Sequence, residues 1–312
     1  MKIAIVGAGI SGLYLGWKLR SERGHQVTIF EKKGKIGREA CSGLFSERIL
    51  SFVPTSQKLI EHEISSVLIH FPKKTTKVKF SKKFLVLNHA ELDRLVAGLA
   101  QKAGAEIKLN QNILAGSFLA NGFDRVIGCD GAHSAVRRSL GLKEPDYRLG
   151  IQGFIPGSNQ ADYVETWPVA HGFIWKIPRG KELEYGIIAD ASSAPKILDG
   201  FCSKNNLRLE NMKSALIPQG FIIPKNDKIT LCGDAAGLTK PWSGGGVIWG
   251  LTGAELLLKA LPDFLKYQRD MKNYFLPKIF FSKMAVKTAY FLGFKIPWIL
   301  PQNIKIESDF LL

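Results

Sequence analysis

The chain has 312 residues, about twice the length of a typical single domain, so two closely connected domains with a substantial core are expected. Hydrophobic residues make up 46% and charged residues 22% of the sequence, which argues against long disordered segments. Forty-three Lys and Arg residues against 27 Asp and Glu residues give a net charge of +16. This charge attracts anionic partners, whether nucleotide phosphates, phospholipid headgroups or nucleic acid, without choosing among them.

The cysteines stand at positions 41, 129, 202 and 232, with no CxxC pair and no Cys/His run at metal-ligand spacing. The pattern indicates neither a disulfide framework nor a metal site, and it fits reduced thiols in the cytoplasm. The N-terminus enters a strand directly, without the charged start and longer apolar region of a signal peptide. No window approaches 18 consecutive apolar residues, so no membrane-spanning helix is predicted.

The predicted elements pass from an α/β pattern to an antiparallel pattern and back. Strands are predicted at 3–6, 27–30, 64–70, 76–80, 84–87, 105–109, 124–129 and 229–232, with an aromatic-rich antiparallel sheet over 148–190. Helices are predicted from the first glycine turn through Arg20, over about 89–103 with Asn88 as cap, over about 247–260 and within 262–300.

The first glycine turn carries a GxGxxG motif between a buried strand and a helix, and Glu31 ends the next strand 19 residues after Gly12. Gly7 permits the tight turn, Gly9 lets the backbone approach a pyrophosphate, and Gly12 lets helix and strand pack closely. The helix N-terminus supplies amides and a partial positive charge to the phosphates, and Glu31 accepts hydrogen bonds from ribose hydroxyls. The residues predicted to bind the dinucleotide here are Gly7, Gly9, Ile10, Ser11, Gly12, Glu31 and Lys32.

Two further turns follow later strands. The first is Asp130-Gly131-Ala-His-Ser134-Ala-Val-Arg137; the second is Gly233-Asp234-Ala-Ala-Gly237, followed by Pro241-Trp-Ser-Gly244-Gly245-Gly246. With the GxGxxG turn and in this order, they resemble the p-hydroxybenzoate hydroxylase-type FAD superfamily over the chain to about residue 260. The resemblance implies that the cofactor is FAD.

The superfamily resemblance also implies roles for individual positions. Asp234 would bind a ribityl or ribose hydroxyl of FAD, and the amides after Pro241 would face the flavin pyrimidine edge. Arg38 and Arg94 match arginines that reach the cofactor in this superfamily. The cofactor-binding residues implied by resemblance are Arg38, Cys41, Ser42, Gly43, Arg94, Asp130, Gly131, Gly233, Asp234, Gly244, Gly245, Gly246 and Val247.

Within this superfamily, three segments resemble the geranylgeranyl reductases, particularly their archaeal lipid-saturating branch. Arg38-Glu-Ala-Cys41-Ser-Gly43 resembles that family's cysteine loop beside the isoalloxazine, and the segment 233–250 resembles its extended GD motif. Phe173-Ile-Trp175-Lys-Ile-Pro178 resembles the YxWxFP motif of the substrate cavity, with Phe173 in place of Tyr and Ile177 in place of Phe. The resemblance implies a reductase that saturates geranylgeranyl double bonds of membrane ether lipids by hydride transfer from reduced flavin.

For such a reaction, an isolated alkene must be held against the flavin in a water-poor slot while a proton is added. Trp175 and Phe173 are candidates for the aromatic wall, which stabilises a developing positive charge by cation–π attraction; aromatics at alternating strand positions are also common in cores. Cys41 is a candidate to donate the proton or to shape the flavin face. We therefore predict catalytic roles for Cys41, Trp175 and Phe173.

The expected fold class is α/β, with a Rossmann-type FAD-binding domain of the hydroxylase type, an inserted antiparallel β-sheet substrate domain and a short helical C-terminal region. The predicted FAD-binding domain comprises 1–62, 84–147 and 217–261, the substrate domain comprises 63–83 and 148–216, and the C-terminal region comprises 262–312.

The last fifty residues interleave lysines and arginine with large aromatic side chains. This composition suits a helix on an anionic membrane surface, and equally a helix packed over the flavin domain with a basic face in water. The chain is expected to be a cytoplasmic monomer, peripheral on the inner face of the cell membrane in the first case.

Two other functions share parts of this pattern. An aromatic monooxygenase would use the same FAD scaffold, and a flavin-bearing module could be recruited to RNA or a membrane by the +16 charge. No RNA-binding signature is present, so nucleic acid is not expected as a partner. The electron donor is left open between NAD(P)H and ferredoxin, because no second GxGxxG-bearing βαβ unit follows the first.

Overall fold

The computed structural model describes residues 1–112, 121–157 and 160–306. The strands in chain order are β1 (Lys2–Val6), β2 (Gln26–Phe30), β3 (Leu44–Ser46), β4 (Ile60–Phe71), β5 (Lys74–Leu87), β6 (Glu106–Lys108), β7 (Arg125–Gly128), β8 (Asp146–Pro156), β9 (Tyr163–Val169), β10 (Gly172–Arg179), β11 (Glu182–Ala189), β12 (Glu210–Gln219), β13 (Ile229–Leu231) and β14 (Asn303–Ile306). The helices are α1 (Ile10–Ser21), α2 (Ile49–Phe52), α3 (His89–Lys102), α4 (Ala135–Ser139), α5 (Ala194–Lys204), α6 (Val247–Ala260) and α7 (Phe264–Lys295).

The first sheet is parallel and has the strand order β13-β7-β1-β2-β6. Its central strand β1 is apolar from Ile3 to Val6 and buried throughout, as expected of a parallel strand covered on both faces. Helix α1 packs against α3 and α6. The side chains of α1, α3, α6 and these strands belong to one continuous hydrophobic core. The predicted Rossmann-type domain is confirmed.

The second sheet has the order β12-β8-β11-β10-β9-β4-β5-β14, with β3 also paired to β5. Its neighbours run antiparallel except for the parallel pairs β4 with β9 and β5 with β14. The predicted antiparallel sheet is therefore confirmed. The strands predicted at 76–80 and 84–87 form one continuous strand, β5, because the polar stretch Ser81-Lys82-Lys83 stays in extended conformation, although the pairing of β4 with β5 shifts register across it.

The C-terminal region is helical over α7, as predicted, and the Asp263 side chain caps this helix by accepting from the Lys266 N–H at 2.8 Å. Tyr267, Met271 and Phe275 on its first half are buried in the main core. The chain then returns to the second sheet as β14, which pairs with β5 and was not predicted because four residues carry too little periodicity. The last six residues of the predicted region, 307–312, lie outside the described residues.

Two observations bear on the kind of site the fold could hold. In the described ranges, no helix combines the length and apolar character that a membrane span requires. Over the same ranges, no cluster of His, Cys, Asp or Glu side chains is arranged to hold a metal ion. The cysteines are free thiols.

Candidate active site

Three loops meet at one edge of the parallel sheet. The turns after β1, β7 and β13 carry the GxGxxG, Asp130-Gly131 and Gly233-Asp234 motifs, and these strands are neighbours in the order β13-β7-β1. Because parallel strands place their carboxyl ends at the same edge, motifs more than 200 residues apart in sequence lie side by side. The edge provides backbone amides, one helix N-terminus and the carboxylates of Asp130 and Asp234.

The first turn has the geometry of a nucleotide-binding loop. Gly7 has φ +106°, a conformation that disfavours any side chain, and a Cβ there would overlap the Cys129 carbonyl. A Cβ on Gly12 would overlap the Gly7 carbonyl oxygen, whereas a Cβ on Gly9 would meet nothing within 4 Å. Gly9 therefore faces open space, as the approach of a pyrophosphate requires.

Glu31 braces this turn from the end of β2. One carboxylate oxygen accepts from the Ala8 N–H at 2.8 Å, and the other accepts from the Lys33 N–H at 2.9 Å. Each oxygen keeps a further acceptor site, so the carboxylate can still meet ribose hydroxyls. Lys32 lies beside it at the surface.

Asp130 braces the first turn of the short helix α4, because its Oδ2 accepts from the N–H groups of Ala135 and Val136 at 2.6 and 3.1 Å. Its Oδ1 is buried and has no hydrogen-bond partner within the described ranges, and burial raises the pKa of this carboxyl. Arg137 of the same motif is fully buried and donates to the Ala235 carbonyl at 2.8 Å. Arg137 therefore ties the second turn to the third.

A cavity of about 540 Å³ begins at these turns and continues beneath the second sheet. Predicted cofactor-binding residues that line it are Gly9, Ile10, Ser11, Arg38, Cys41, Ser42, Gly131, Asp234, Gly244, Gly245, Gly246 and Val247. Predicted ones outside its lining are Gly7, Gly12, Glu31, Lys32, Gly43, Arg94, Asp130 and Gly233. Arg94 lies at the surface, where it pairs with Glu91 at 2.6 Å.

The far end of the cavity is apolar. Its walls come from β4, β5, β9, β10, α7 and β14, and they include Val67, Ile69, Phe71, Val78, Phe80, Phe84, Val164, Phe173, Trp175, Ile177, Ala285, Val286, Ala289 and Ile306. Phe173 and Trp175 lie two residues apart on one face of β10, with ring centroids 6.1 Å apart. The two predicted wall residues thus face the same space as the nucleotide-binding turns.

Trp175 is held by a buried ionic network that the sequence did not reveal. Its Nε1–H donates to Glu184 at 2.9 Å, and Arg179 donates to the other Glu184 oxygen at 2.6 Å. Glu184 is fully buried, and burial raises its pKa against the opposing effect of Arg179 and Trp175. Arg179 also donates to the Ser42 carbonyl. The network fixes the aromatic wall relative to the cysteine loop.

The cysteine loop crosses the junction between the two ends. Arg38 pairs with Asp234 at 2.7 Å, which joins this loop to the third turn. Cys41 lines the cavity, and its sulfur accepts from the Gly43 N–H at 3.4 Å. Gly43 has φ +61°, and a Cβ there would overlap the Leu87 carbonyl oxygen. The loop therefore presents Cys41 in a fixed position at the point where both ends meet.

Sequence reasoning missed His89 and Asp93, which lie behind Cys41 at the start of α3 and also line the cavity. Nε2 of His89 lies 3.5 Å from Oδ1 of Asp93, and both side chains are buried. Burial raises the pKa of the Cys41 thiol, but His89 and Arg38 outweigh it and lower the pKa. The available signal was the i, i+4 spacing of His89 and Asp93 directly after the Asn88 cap.

Helix α7 forms one wall of the apolar end and also part of the protein surface. Ser282, Val286 and Tyr290 face the cavity, and the Tyr290 hydroxyl donates to the Gly172 carbonyl at 2.5 Å. Ala285 and Ala289 line the cavity yet are exposed, so the cavity opens to the surface beside α7. The outward face of the same stretch exposes large apolar residues, among them Phe280, Phe281, Met284 and Phe291.

Comparison with known proteins gives three kinds of match. A family model described as an NAD(P)-binding Rossmann-like domain matches residues 5–46. The digeranylgeranylglycerophospholipid reductase of Methanothrix thermoacetophila is 27% identical over 289 residues, covering 79% of this chain and 73% of that protein. Several further archaeal proteins with the same name match at similar identity.

Solved structures agree with this at the level of the fold. A geranylgeranyl bacteriochlorophyll reductase-like protein from Thermoplasma acidophilum superposes with a TM-score of 0.78 at 21% identity, covering 92% of this chain and 86% of the other. A probable FAD-dependent monooxygenase from Pseudomonas aeruginosa superposes with a TM-score of 0.70 at 16% identity, covering 94% and 95%. The sequence matches, together with this fold, confirm the resemblance to the geranylgeranyl reductases that the motifs indicated.

Proposed function

We propose that this protein is an FAD-dependent reductase that saturates the isoprenoid double bonds of geranylgeranyl membrane ether lipids. The observation that carries the proposal is the single cavity, which joins a nucleotide-binding edge to a long apolar space lined by Trp175 and Phe173. The similarity to archaeal digeranylgeranylglycerophospholipid reductases supports the lipid as substrate.

The residues at the nucleotide end fit FAD. Gly9 leaves open space against the backbone, and Asp234 stands beside the loop of Gly244 to Gly246. Asp130 offers a buried oxygen that has no hydrogen-bond partner in the described part of the chain. The turn at Gly7 to Gly12 would hold the pyrophosphate, Asp234 a ribityl or ribose hydroxyl, and the glycine loop the pyrimidine edge of the flavin. When bound and reduced, the flavin supplies a hydride.

The protein's own residues would do the remaining work. The aliphatic and aromatic walls of β4, β5, β9 and β10 exclude water and hold a flexible prenyl chain extended. Trp175 is oriented by Glu184 at 2.9 Å, so its ring face is fixed where positive charge develops on the alkene. Cys41, which lines the cavity at the junction, would deliver the proton.

A direct test incubates the purified flavoprotein, reduced under anaerobic conditions, with an unsaturated geranylgeranyl ether lipid and determines product mass. The expected product has gained one hydrogen molecule for each bond reduced. Absence of any gain across several prenyl lipids would overturn the proposal. Substrate-stimulated NAD(P)H oxidation that requires oxygen and yields a hydroxylated product would instead support the aromatic monooxygenase, whose fold is shared.

The electrons for each turnover come from NAD(P)H or ferredoxin. The matched Rossmann segment, residues 5–46, is the one assigned here to FAD, so neither donor is favoured by a binding motif of its own. Anaerobic bleaching of the flavin by NADH, NADPH or reduced ferredoxin, each added separately, identifies the donor. A donor that leaves the flavin oxidised is excluded.

We further propose that the protein works at the cytoplasmic face of the cell membrane and contacts it through the second half of α7. Phe280 is 60% exposed and Trp298 is 71% exposed, next to the exposed lysines 283, 287 and 295. Rings that enter the interface and ammonium groups that meet anionic headgroups are the combination such contact needs. The cavity opens beside the same stretch, which gives a lipid chain a short path inward.

Vesicle sedimentation tests this contact. Binding to phosphatidylglycerol vesicles is expected, with weaker binding to phosphatidylcholine vesicles and at high salt. The double variant Phe280→Ser/Phe281→Ser should lose binding, whereas Met212→Ser, which removes an exposed apolar side chain from β12, should retain it. Equal sedimentation of all three proteins would contradict the contact.

A further inference from the structure

Two buried ionisable side chains next to Cys41 have no role in the reaction as proposed above. His89 and Asp93 stand one helical turn apart on α3, with 6% and 1% of their surfaces exposed. Asn88 caps the helix by accepting from the N–H groups of Ala90 and Glu91, so the position of His89 is fixed by the helix start. Burying ionisable groups is costly, and perturbed pairs of this kind cluster at functional sites.

We propose that Cys41, His89 and Asp93 form a proton relay that supplies the proton half of alkene reduction at the flavin end of the cavity. The inference rests on the proposed reductase function and adds to it two residues, His89 and Asp93, that act through Cys41. All three side chains line the same cavity.

The geometry gives each ring nitrogen of His89 a different task. Nε2 lies 3.5 Å from Oδ1 of Asp93, so it faces the carboxylate. Nδ1 is buried and makes no hydrogen bond to any described residue, Cys41 included. The His89 ring nonetheless lies close enough to Cys41 for each group to shift the pKa of the other. We assign the proton exchange to Nδ1. Asp93 is itself held, since its Oδ2 accepts from the Arg38 N–H at 2.9 Å.

The surrounding charges favour a thiolate beside an imidazolium. Cys41 faces the cations His89, Arg38 and Arg179, and Arg38 is in turn balanced by Asp234. Burial lowers the pKa of His89, but Cys41 and Asp93 outweigh it and raise the pKa to about 10. These interactions lower the pKa of Cys41 and raise that of His89, so they favour the form in which the proton lies on His89 and the sulfur carries the negative charge.

One proton is taken up from solvent for each double bond that is reduced. The N–H of His89 transfers its proton to the Cys41 sulfur, and the resulting S–H bond breaks as the C–H bond forms on the alkene carbon that does not receive the hydride. Cys41 is left as thiolate and His89 as neutral imidazole. A proton from solvent then restores the imidazolium, which Asp93 stabilises.

The first test is a titration that does not depend on turnover. The ultraviolet absorbance of the thiolate, taken as the difference between the flavoprotein and its Cys41→Ser variant, is followed against pH. His89→Gln should raise the apparent pKa of Cys41 by at least about one unit, and Asp93→Asn should raise it by less. His25→Gln, which changes a histidine outside the cavity lining, should leave it unchanged. Identical titrations in all variants would overturn the ion pair.

The second test is a single turnover of the reduced enzyme with a prenyl lipid across the same pH range. His89→Gln should slow the turnover by about a hundredfold, the scale of a lost proton donor, and should shift its pH profile with that of the Cys41 titration. An unchanged rate and profile would overturn the relay while the reductase function stands. No turnover by the wild type on any prenyl lipid would overturn the reductase function itself, and with it the relay's role, whatever the titration gives.

Discussion

The two ends of the cavity present different parts of the chain to their ligands. At the nucleotide end, the lining includes the backbone of Gly9, Gly244 and Gly246 and the first residues of α1, and Gly7 and Gly12 set the shape of the same turn. At the apolar end, side chains from six separate elements form the wall, and their positions depend on a buried ionic network around Glu184. A backbone surface tolerates few substitutions but needs only a short contiguous segment, whereas a side-chain surface can be remodelled one residue at a time.

The apolar end is expected to show the largest loss of stability when its network is cut. Glu184→Ala leaves the Trp175 Nε1–H without a partner and leaves the buried Arg179 with Glu61 as its remaining carboxylate. Removing one member of a buried ion pair costs on the order of 3 kcal/mol in the free energy of unfolding. Glu182→Ala, on the same strand but exposed, is the control and should change it little. Equal unfolding midpoints in denaturant would show that the network does not hold the wall.

Crowding of the backbone at the nucleotide end should lower the free energy of unfolding by less than the loss of Glu184 does. Gly12→Ala places a Cβ against the Gly7 carbonyl oxygen and should cost about 1–3 kcal/mol of unfolding free energy. Gly98→Ala, in the interior of α3 with open space around its Cβ, should instead stabilise the protein by up to about 1 kcal/mol. Chemical denaturation of the two variants checks the contrast, and destabilisation by both would contradict it.

A third substitution separates ligand binding from folding at the same turn. Gly9→Ala adds a Cβ where nothing lies within 4 Å, so the apoprotein should fold without a steric clash, at only the modest cost of replacing Gly at the N-cap of α1. The same side chain occupies the space assigned to the pyrophosphate, so FAD affinity should fall at least tenfold, or about 1.4 kcal/mol. Fluorescence titration with FAD measures the affinity. Unchanged affinity would place the cofactor elsewhere.

The junction between the two ends should make stability depend on pH. Cys41 and His89 have ordinary pKa values of 9.0 and 6.5, lowered for Cys41 and raised to about 10 for His89 in the fold. The His89 contribution is present in full below pH 6.5 and is lost as the pH rises through about 10, whereas the Cys41 contribution is present above pH 9 and is lost as the pH falls. Above pH 9 the Cys41 contribution is complete, so the net stability falls as the pH rises through about 10.

The comparison of wild type with His89→Gln isolates this contribution. The difference in their unfolding free energies should shrink as the pH rises from about 9 to about 10, by about 1.4 kcal/mol, the equivalent of one pKa unit. A difference that is constant with pH would contradict the ion pair.

The smallest expected effect is a change of substrate preference at the apolar end. Ala289→Phe fills the cavity from α7 and should reduce turnover of long prenyl chains relative to short ones, with FAD content and stability preserved. Thr288→Phe, next to it on the exposed side and outside the cavity lining, should keep the wild-type ratio. The measurement is kcat/KM for a long prenyl substrate divided by kcat/KM for a short one, determined for the wild type and for both variants.

The contrast between a backbone surface and a side-chain surface explains which parts of the site could be predicted from the sequence. The GxGxxG turn, the Asn88 cap and the motif turns at Asp130 and Gly233 follow from local rules within contiguous segments, and the structure brings them together as parallel strands require. Cys41 was identified through a segment resemblance rather than through local chemistry. The three turns at the nucleotide end were therefore predicted from the sequence, whereas the cofactor contacts assigned to their residues stay predictions.

The apolar end and the junction could be predicted only in part. His89 meets Cys41 across 48 residues of sequence, and Glu184 has the appearance of an ordinary surface carboxylate on an alternating strand. The small inward residues of α7, such as Ala285 and Ala289, are hidden among aromatic and basic neighbours. Their roles arise from tertiary contacts, to which residue type and periodicity give no access.

The central claim is that a prenyl chain in the apolar end exchanges electrons with a flavin at the nucleotide end of the same cavity. The most direct measurement is the anaerobic return of the oxidised flavin absorbance after the reduced protein is mixed with a geranylgeranyl ether lipid. The account predicts reoxidation with that lipid and none with its fully saturated counterpart. A flavin that stays reduced with both lipids, and reoxidises only when oxygen is admitted, would contradict it.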